Sequence, residues 1–179
     1  MPAEKKVRDV MIPVDKCPTV SEEATVKEAV TVLARSLRKV NAGEYVGHRA
    51  VLVLDREQRP VGLLSYRSLI KAIEPRLVDP EKIPGQTLPW QEGAADISWE
   101  GFFTQRVREE ARKKIKEVIR PRKLITIEAD APLIKAVHLM VRHDVGSLPV
   151  VEKEAVVGMV RISELFVEIA NTLSAFREG

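Results

Sequence analysis

Val7-Arg8-Asp9-Val10-Met11-Ile12-Pro13 decides the fold, because the chain writes the pattern again as Ile115-Lys116-Glu117-Val118-Ile119-Arg120-Pro121. Each copy opens a longer matched stretch. The first closes on Pro60-Val61-Gly62-Leu63-Leu64-Ser65-Tyr66-Arg67-Ser68-Leu69 and the second on Val156-Val157-Gly158-Met159-Val160-Arg161-Ile162-Ser163-Glu164-Leu165. A duplicated unit predicts two halves packed about a pseudo-two-fold axis, with one or two clefts between them. Such clefts suggest binding before they suggest catalysis.

The repeat continues between these ends. Thr19-Val20 reads as a short strand, matched by Ile125-Thr126-Ile127. Val26, Ala29, Val30 and Leu33 follow at the i, i+3, i+4, i+7 spacing of a helix with one buried face, and Leu133, Ala136, Val137 and Met140 repeat them. Ser21 or Thr25 suits the cap of the first helix, while Asp130 and Pro132 suit the start of the second. Two apolar runs joined by a brief polar turn then predict an antiparallel hairpin, 50–54 with 61–64 and 147–151 with 155–160. A closing helix carries Leu69, Ile70 and Ile73 in one copy, and Leu165, Phe166, Ile169 and Leu173 in the other. The predicted fold class is α/β, of the α+β type, built from two βαββα repeats at 7–73 and 115–173. The first copy has extra residues at 38–47, whose glycines and polar residues predict a surface loop.

The connector, 74–114, resembles neither copy. Pro75, Pro80, Pro84 and Pro89 predict an irregular course. Trp90, Trp99, Phe102 and Phe103 are half of the chain's aromatic residues, either packed on the outside of the repeats or across a dimer interface, or docking a separate effector protein. A helix is expected over 105–119, with Val107, Ala111, Ile115 and Val118 on one stripe and i, i+4 pairs Glu109–Lys113 and Glu110–Lys114.

Composition narrows the function classes. The 179 residues are 45% hydrophobic and 31% charged, as in a soluble globular protein. With 29 Lys and Arg against 26 Asp and Glu, the net charge is +3, too small to imply nucleic acid without a concentrated patch. The basic stretch 106–116 is interrupted by Glu109 and Glu110 and reads as a solvated helix face. A single cysteine, Cys17, rules out an intrachain disulfide, and no apolar run approaches membrane-span length, so a cytoplasmic protein is expected. His48, His138 and His143 have no zinc-ligand spacing, and neither a P-loop nor a Gly-x-Gly-x-x-Gly occurs. No general acid–base constellation supports an enzyme.

In order and duplication these signatures resemble one family, the tandem cystathionine-β-synthase-like (CBS) domain pair, or Bateman module. The resemblance rests on the two opening segments, on Leu148-Pro149-Val150-Val151-Glu152 with Leu52-Val53-Leu54-Asp55, and on Gly62-Leu63-Leu64-Ser65 with Gly158-Met159-Val160-Arg161. It implies a regulatory module with no obligatory cofactor, whose inter-repeat clefts take AMP, ADP, ATP or S-adenosylmethionine. It also implies a homodimer and a separate effector protein. In the family's pattern a Ser/Thr-x-x-Asp at the last helix start places a hydroxyl on phosphate and a carboxylate on the ribose.

This chain departs from that pattern in both copies. The first reads Ser65-Tyr66-Arg67-Ser68, with no carboxylate; the second reads Arg161-Ile162-Ser163-Glu164, with a longer carboxylate and a guanidinium in place of the hydroxyl. A guanidinium can grip phosphate by a charge-assisted bidentate contact. Alternatively, Ser65 and Ser68 only cap a helix and Arg161 and Glu164 are solvated. A purine is expected against Lys123, Leu124 and Thr126 with Val145, Gly146, Ser147 and Pro149. Gly146 either lets a flat group approach or serves the turn after the helix. The competing expectation is an adaptor with vestigial clefts, acting through the aromatic connector.

Overall fold

The structure is a computed structural model that describes residues 4–41, 44–73, 102–118 and 124–175. The proline-rich part of the connector, with Trp90 and Trp99, lies outside the described residues, as does Lys123.

The first sheet orders its strands β2 (Thr19–Ser21), β5 (Ala50–Leu54) and β6 (Pro60–Ser65). β2 runs parallel to β5, and β5 antiparallel to β6. Helix α1 (Val26–Ser36) follows β2, and α2 (Tyr66–Ile73) follows β6. The second sheet repeats this with β7 (Ile127–Glu128), β8 (Ser147–Glu152) and β9 (Ala155–Arg161), carrying α5 (Leu133–His143) and α6 (Ile162–Ala175). Both expected hairpins and both βαββα units are present.

Each unit has its own apolar core, set by a central strand buried on both faces and one face of its helices. Val26, Ala29 and Leu33 of α1 pack with Val51, Val53, Leu64 and Leu69, while Val30 of the expected stripe is exposed. Ala136 and Met140 of α5 pack with Leu148, Val150, Val160 and Leu165. Thr25 caps α1 in a capping box with Glu28: its hydroxyl accepts from the Glu28 amide at 3.2 Å, and the Glu28 carboxylate accepts from the Thr25 amide at 2.6 Å. Pro132 precedes the first turn of α5, and Asp130 pairs with Lys6 and Arg8 rather than capping.

The opening segments are exchanged. Val7 is fully buried in the core of the second unit, and Ile115 is fully buried in the core of the first. The first segment continues as β1 (Ile12–Pro13), which pairs antiparallel with β9 and extends the second sheet. Gly158 makes this approach possible, since a Cβ there would lie 2.5 Å from the Ile12 carbonyl oxygen. The turn just ahead of the second segment serves α1. The amides of Val26 and Lys27, which have no partner within their own helix, donate to the carbonyls of Lys113 (2.9 Å) and Ala111 (3.0 Å).

That duty ends the connector helix early. Where one helix was expected over 105–119, the structure has α3 (Phe102–Glu110), a turn, and α4 (Ile115–Val118). The expected i, i+4 pairs are replaced. Arg106 and Lys113 pair with Glu110, while Lys114 and Lys116 reach Glu23 of the first unit. Arg106 and Glu110 are buried, and four of the basic side chains in 106–116 are thus ion-paired within the protein.

The expected loop at 38–47 is instead a hairpin, β3 (Arg38–Asn41) with β4 (Glu44–Val46). Val40, Tyr45 and Val46 flank an Asn-Ala-Gly sequence, which is a hairpin signal that glycine content alone obscured. Gly47 ends it with φ of 148°, and a Cβ there would lie 2.2 Å from the Ser36 carbonyl oxygen, so no other residue fits.

Candidate functional site

The end of β9 and the start of α6 are assembled by the hairpin register. Ser147 stands opposite Arg161, and the Gly146 carbonyl accepts from the Ile162 amide at 2.9 Å. The turn after α5 is made by Asp144, whose φ of 51° is left-handed, so Gly146 is not needed for it. A Cβ at Gly146 would meet nothing within 4 Å, which leaves open space beside its backbone.

Arg161 and Glu164 clasp one another. Glu164 Oε2 accepts from Arg161 Nε at 2.8 Å and from the Arg161 amide at 3.1 Å. Glu164 Oε1 accepts from Arg161 Nη2 and from the Ser163 hydroxyl at 3.1 Å. Burial alone would raise the Glu164 carboxyl, but the Arg161 hydrogen bonds and charge outweigh it and hold the carboxyl below its ordinary range. These bonds to Glu164 also raise the guanidinium's own pKa. Neither side chain is simply solvated.

Arg161 also reaches the other unit. Its Nη1 donates to the Gly47 carbonyl at 3.3 Å. His48, the next residue, lies beside the Lys16 backbone, and its Nδ1 is buried without a hydrogen-bond partner. Burial, together with the nearby Arg161 charge, lowers the His48 pKa and favours the neutral ring. Cys17 is buried within the field of the same pair, its thiol donating to the Pro13 carbonyl at 3.4 Å. Burial pushes that thiol up to about 11 despite Arg161, so it stays protonated and unreactive at neutral pH. The cleft thus brings the Arg161–Glu164 ion pair together with an imidazole and a thiol that both favour their neutral forms, drawn from both units.

The structure brings Gly146, Ser147, Arg161, Ser163 and Glu164 together. Pro149, two residues along β8 from Ser147, is buried, and Val145 packs against the second core. Leu124 and Thr126 lead into β7 and are half-buried, with no hydrogen bond to Arg161 or Glu164. Gly47, His48, Lys16 and Cys17 were missed as cleft residues. Their signal was in the repeat itself: Cys17 and His48 occupy the first-unit positions that match Leu124 and Val145. In the first unit the Ser65 hydroxyl accepts from the Ser68 amide at 3.2 Å and lies 3.0 Å from the Ser68 hydroxyl. These two serines therefore cap α2.

A separate groove along α3, lined by Thr104, Gln105, Arg108, Glu109 and Arg112, shares no residue with the cleft. Among the described residues no group of three or more His, Cys, Asp or Glu side chains is placed to hold a metal ion. No helix among them is long and apolar enough to cross a membrane.

Comparison with known proteins agrees with this architecture. No curated protein matches the chain in sequence. Among solved structures, a Vibrio cholerae protein assigned to acetoin utilization (AcuB) aligns with a TM-score of 0.62 and 19% identity over 98% of each chain. CBSX2, solved in complex with AMP, aligns at 0.60 and 18% identity over 94% of this chain and 98% of that one. The CBS domain pair of MJ0100, solved with 5′-methylthioadenosine and S-adenosylmethionine, aligns at 0.62 and 16% identity over 94% and 98%. At these identities the likeness is one of fold. The CBS domain family itself matches twice, over residues 7–75 and 115–171, and the chain belongs to that family as a tandem pair.

Proposed function

We propose that this protein is a non-enzymatic, ligand-sensing regulatory module. It takes an adenosine-containing nucleotide in the cleft at Arg161 and Glu164 and signals its occupancy to a separate protein. The observation that carries this reading is the inter-unit position of the pair. Glu164 begins α6 in the second unit, while Arg161 reaches the Gly47 carbonyl of the first. A ligand seated there touches both units, and one that fits a single arrangement of them shifts their packing. The AMP, methylthioadenosine and S-adenosylmethionine complexes of similarly folded proteins support the choice of ligand class. The first-unit serines, consumed in capping α2, make the Glu164 cleft the principal site.

The output surface we propose is a homodimer face on α5 and α6. Ile162, Phe166, Ile169 and Leu173 form an exposed stripe along α6, beside exposed Ile134 and Val141 of α5. Only Leu165 of the closing helix enters the core. Because Glu164 lies in the first turn of the same helix, cleft and stripe move together.

The test is a calorimetric titration with AMP, ADP, ATP and S-adenosylmethionine. Saturable binding of at least one, abolished by Glu164→Ala, is expected. Absence of heat and of thermal stabilisation with all four would leave the adaptor reading in its place, with exposed Phe103 of the connector as its starting point.

A further inference from the structure

We infer that two copies of this chain associate through their second units alone, with the first units left outside the interface. The inference rests on the homodimer face proposed on α5 and α6 and decides which half of the duplicated fold pairs.

Two matched units offer two matched helical faces, and a two-fold pair can use either or both. The face of the second unit is apolar. Ile162, Phe166, Ile169 and Leu173 of α6, with Ile134 and Val141 of α5, are 49–77% exposed. Together they offer on the order of 700 Å² per protomer, close to the ~800 Å² that a standard interface buries on each side.

The matched positions of the first unit differ. Lys27 and Ala34 of α1 stand where α5 has Ile134 and Val141. Tyr66, Ile70 and Lys71 of α2 stand where α6 has Ile162, Phe166 and Val167. Tyr66 is half-buried, its hydroxyl donating to the His48 carbonyl at 2.8 Å. Among the described side chains of these two helices, Ile70 and Val30 are the large apolar groups left exposed, beside exposed Lys27, Arg67 and Lys71. Helix α3 packs against α2 and adds exposed Arg108 and Arg112 to this side.

Charge decides among the possible pairings. First unit on first unit sets the face carrying Lys27, Arg67 and Lys71 against its own copy, like charge on like. First unit on second presses the same cations onto the apolar stripe. α5 and α6 hold two carboxylates between them, and both are engaged, Glu164 by Arg161 and Glu168 by Lys5. A cation buried there finds no partner, which is costly. Second unit on second unit sets apolar groups on their own copies. Lys135 and Arg142, each one residue on from Ile134 and Val141, lie about a quarter-turn off the stripe and stay at its rim.

Such a pair is held at one end. A ligand that changes how the two units of a chain pack then moves the two first units relative to one another, which gives the cleft an output without breaking the dimer.

Sedimentation equilibrium of the whole chain tests this in wild type, Phe166→Glu, Ile70→Glu and Lys71→Glu. Phe166 and Ile70 occupy matched positions, so one substitution reports on each unit in turn. All three side chains are exposed, and thermal melts near that of wild type confirm that the variants fold. Wild type is expected to be a dimer. Phe166→Glu should raise its dissociation constant by about a hundredfold or more, while Ile70→Glu and Lys71→Glu change it by less than about threefold. A larger change in either first-unit variant, in either direction, would place the first unit in the interface and overturn the inference while leaving the homodimer intact. A Phe166→Glu effect no larger than theirs would also overturn it. A monomeric wild type removes the dimer face and this inference together.

Discussion

Lys114 forms an isolated antiparallel bridge with Thr25, the residue that caps α1 of the other unit. The bridge of Lys6 with Pro132, ahead of α5, repeats it at the matching positions of the other copy. Each opening segment therefore completes the helix start and core of its neighbour, and neither unit is whole alone. This predicts one cooperative unfolding transition for the described fold. Ile115→Ala removes a fully buried side chain from the first core and should lower stability by about 2–5 kcal/mol, with both units melting together. A fragment of residues 4–73 should not fold cooperatively by circular dichroism. A sharp melt from that fragment, or two separate transitions in the Ile115 variant, would contradict the exchange.

The β1–β9 pairing makes a second prediction. Gly158 is needed for its lack of a side chain, since an added Cβ would lie 2.5 Å from the Ile12 carbonyl oxygen and 2.9 Å from Met11 Sδ. The methionine can move, but the backbone oxygen cannot without opening the bridge. Gly158→Ala should therefore cost on the order of 1–3 kcal/mol, in the range of overpacked core sites. Amide hydrogen exchange should locate the loss at Ile12 and Met159, which are paired across this edge. Unchanged protection there would mean that the strand adjusts freely.

The two βαββα units were legible because buried strands and amphipathic helices leave periodic patterns, and duplication let each copy check the other. The exchange of the opening segments was not legible. Val7 and Ile115 are apolar in either arrangement, and periodicity records burial without naming the partner. For the same reason the expected second-repeat residues, among them Leu124, Val145 and Gly146, were not joined by Gly47 of the other unit, whose carbonyl Arg161 reaches. Arg161 and Glu164 were recognisable as a departure from the family's pattern. That they spend their bonds on each other follows from their i, i+3 spacing at a helix start, and only the geometry shows it.

The clasp has a pH signature. The Glu164 carboxyl sits below its ordinary value in the folded protein, so it releases its proton more readily there than in the unfolded chain. Its contribution to stability is complete above the unfolded value of about 4.3 and is lost as pH falls through the lower, folded value. Glu164→Gln removes this linkage. The difference in melting temperature between wild type and Glu164→Gln should stay constant from about pH 8 to pH 5 and shrink below about pH 4. Partial exposure of the pair limits the effect to about 1 kcal/mol. A difference that grew on acidification would show that the carboxyl is raised, and the clasp unmade, in solution.

The exposed stripe on α6 carries the last prediction. Phe166, Ile169 and Leu173 recur at the i, i+3, i+7 spacing of a helix seam, yet each is at least half exposed or close to it, Phe166 at 70%. An apolar stripe of this length on water favours association, and the helix-on-helix geometry suits an isologous pair in which α5 and α6 of one protomer meet those of another. Phe166→Glu should convert a dimer to a monomer in sedimentation while leaving the thermal melt of each protomer near that of wild type, because the side chain contributes nothing to either core. If Glu164 at the head of α6 couples cleft to stripe, nucleotide should also change the dimer dissociation constant of wild type. A monomeric wild type at micromolar concentration would assign the stripe to a different partner and remove the proposed output of the cleft.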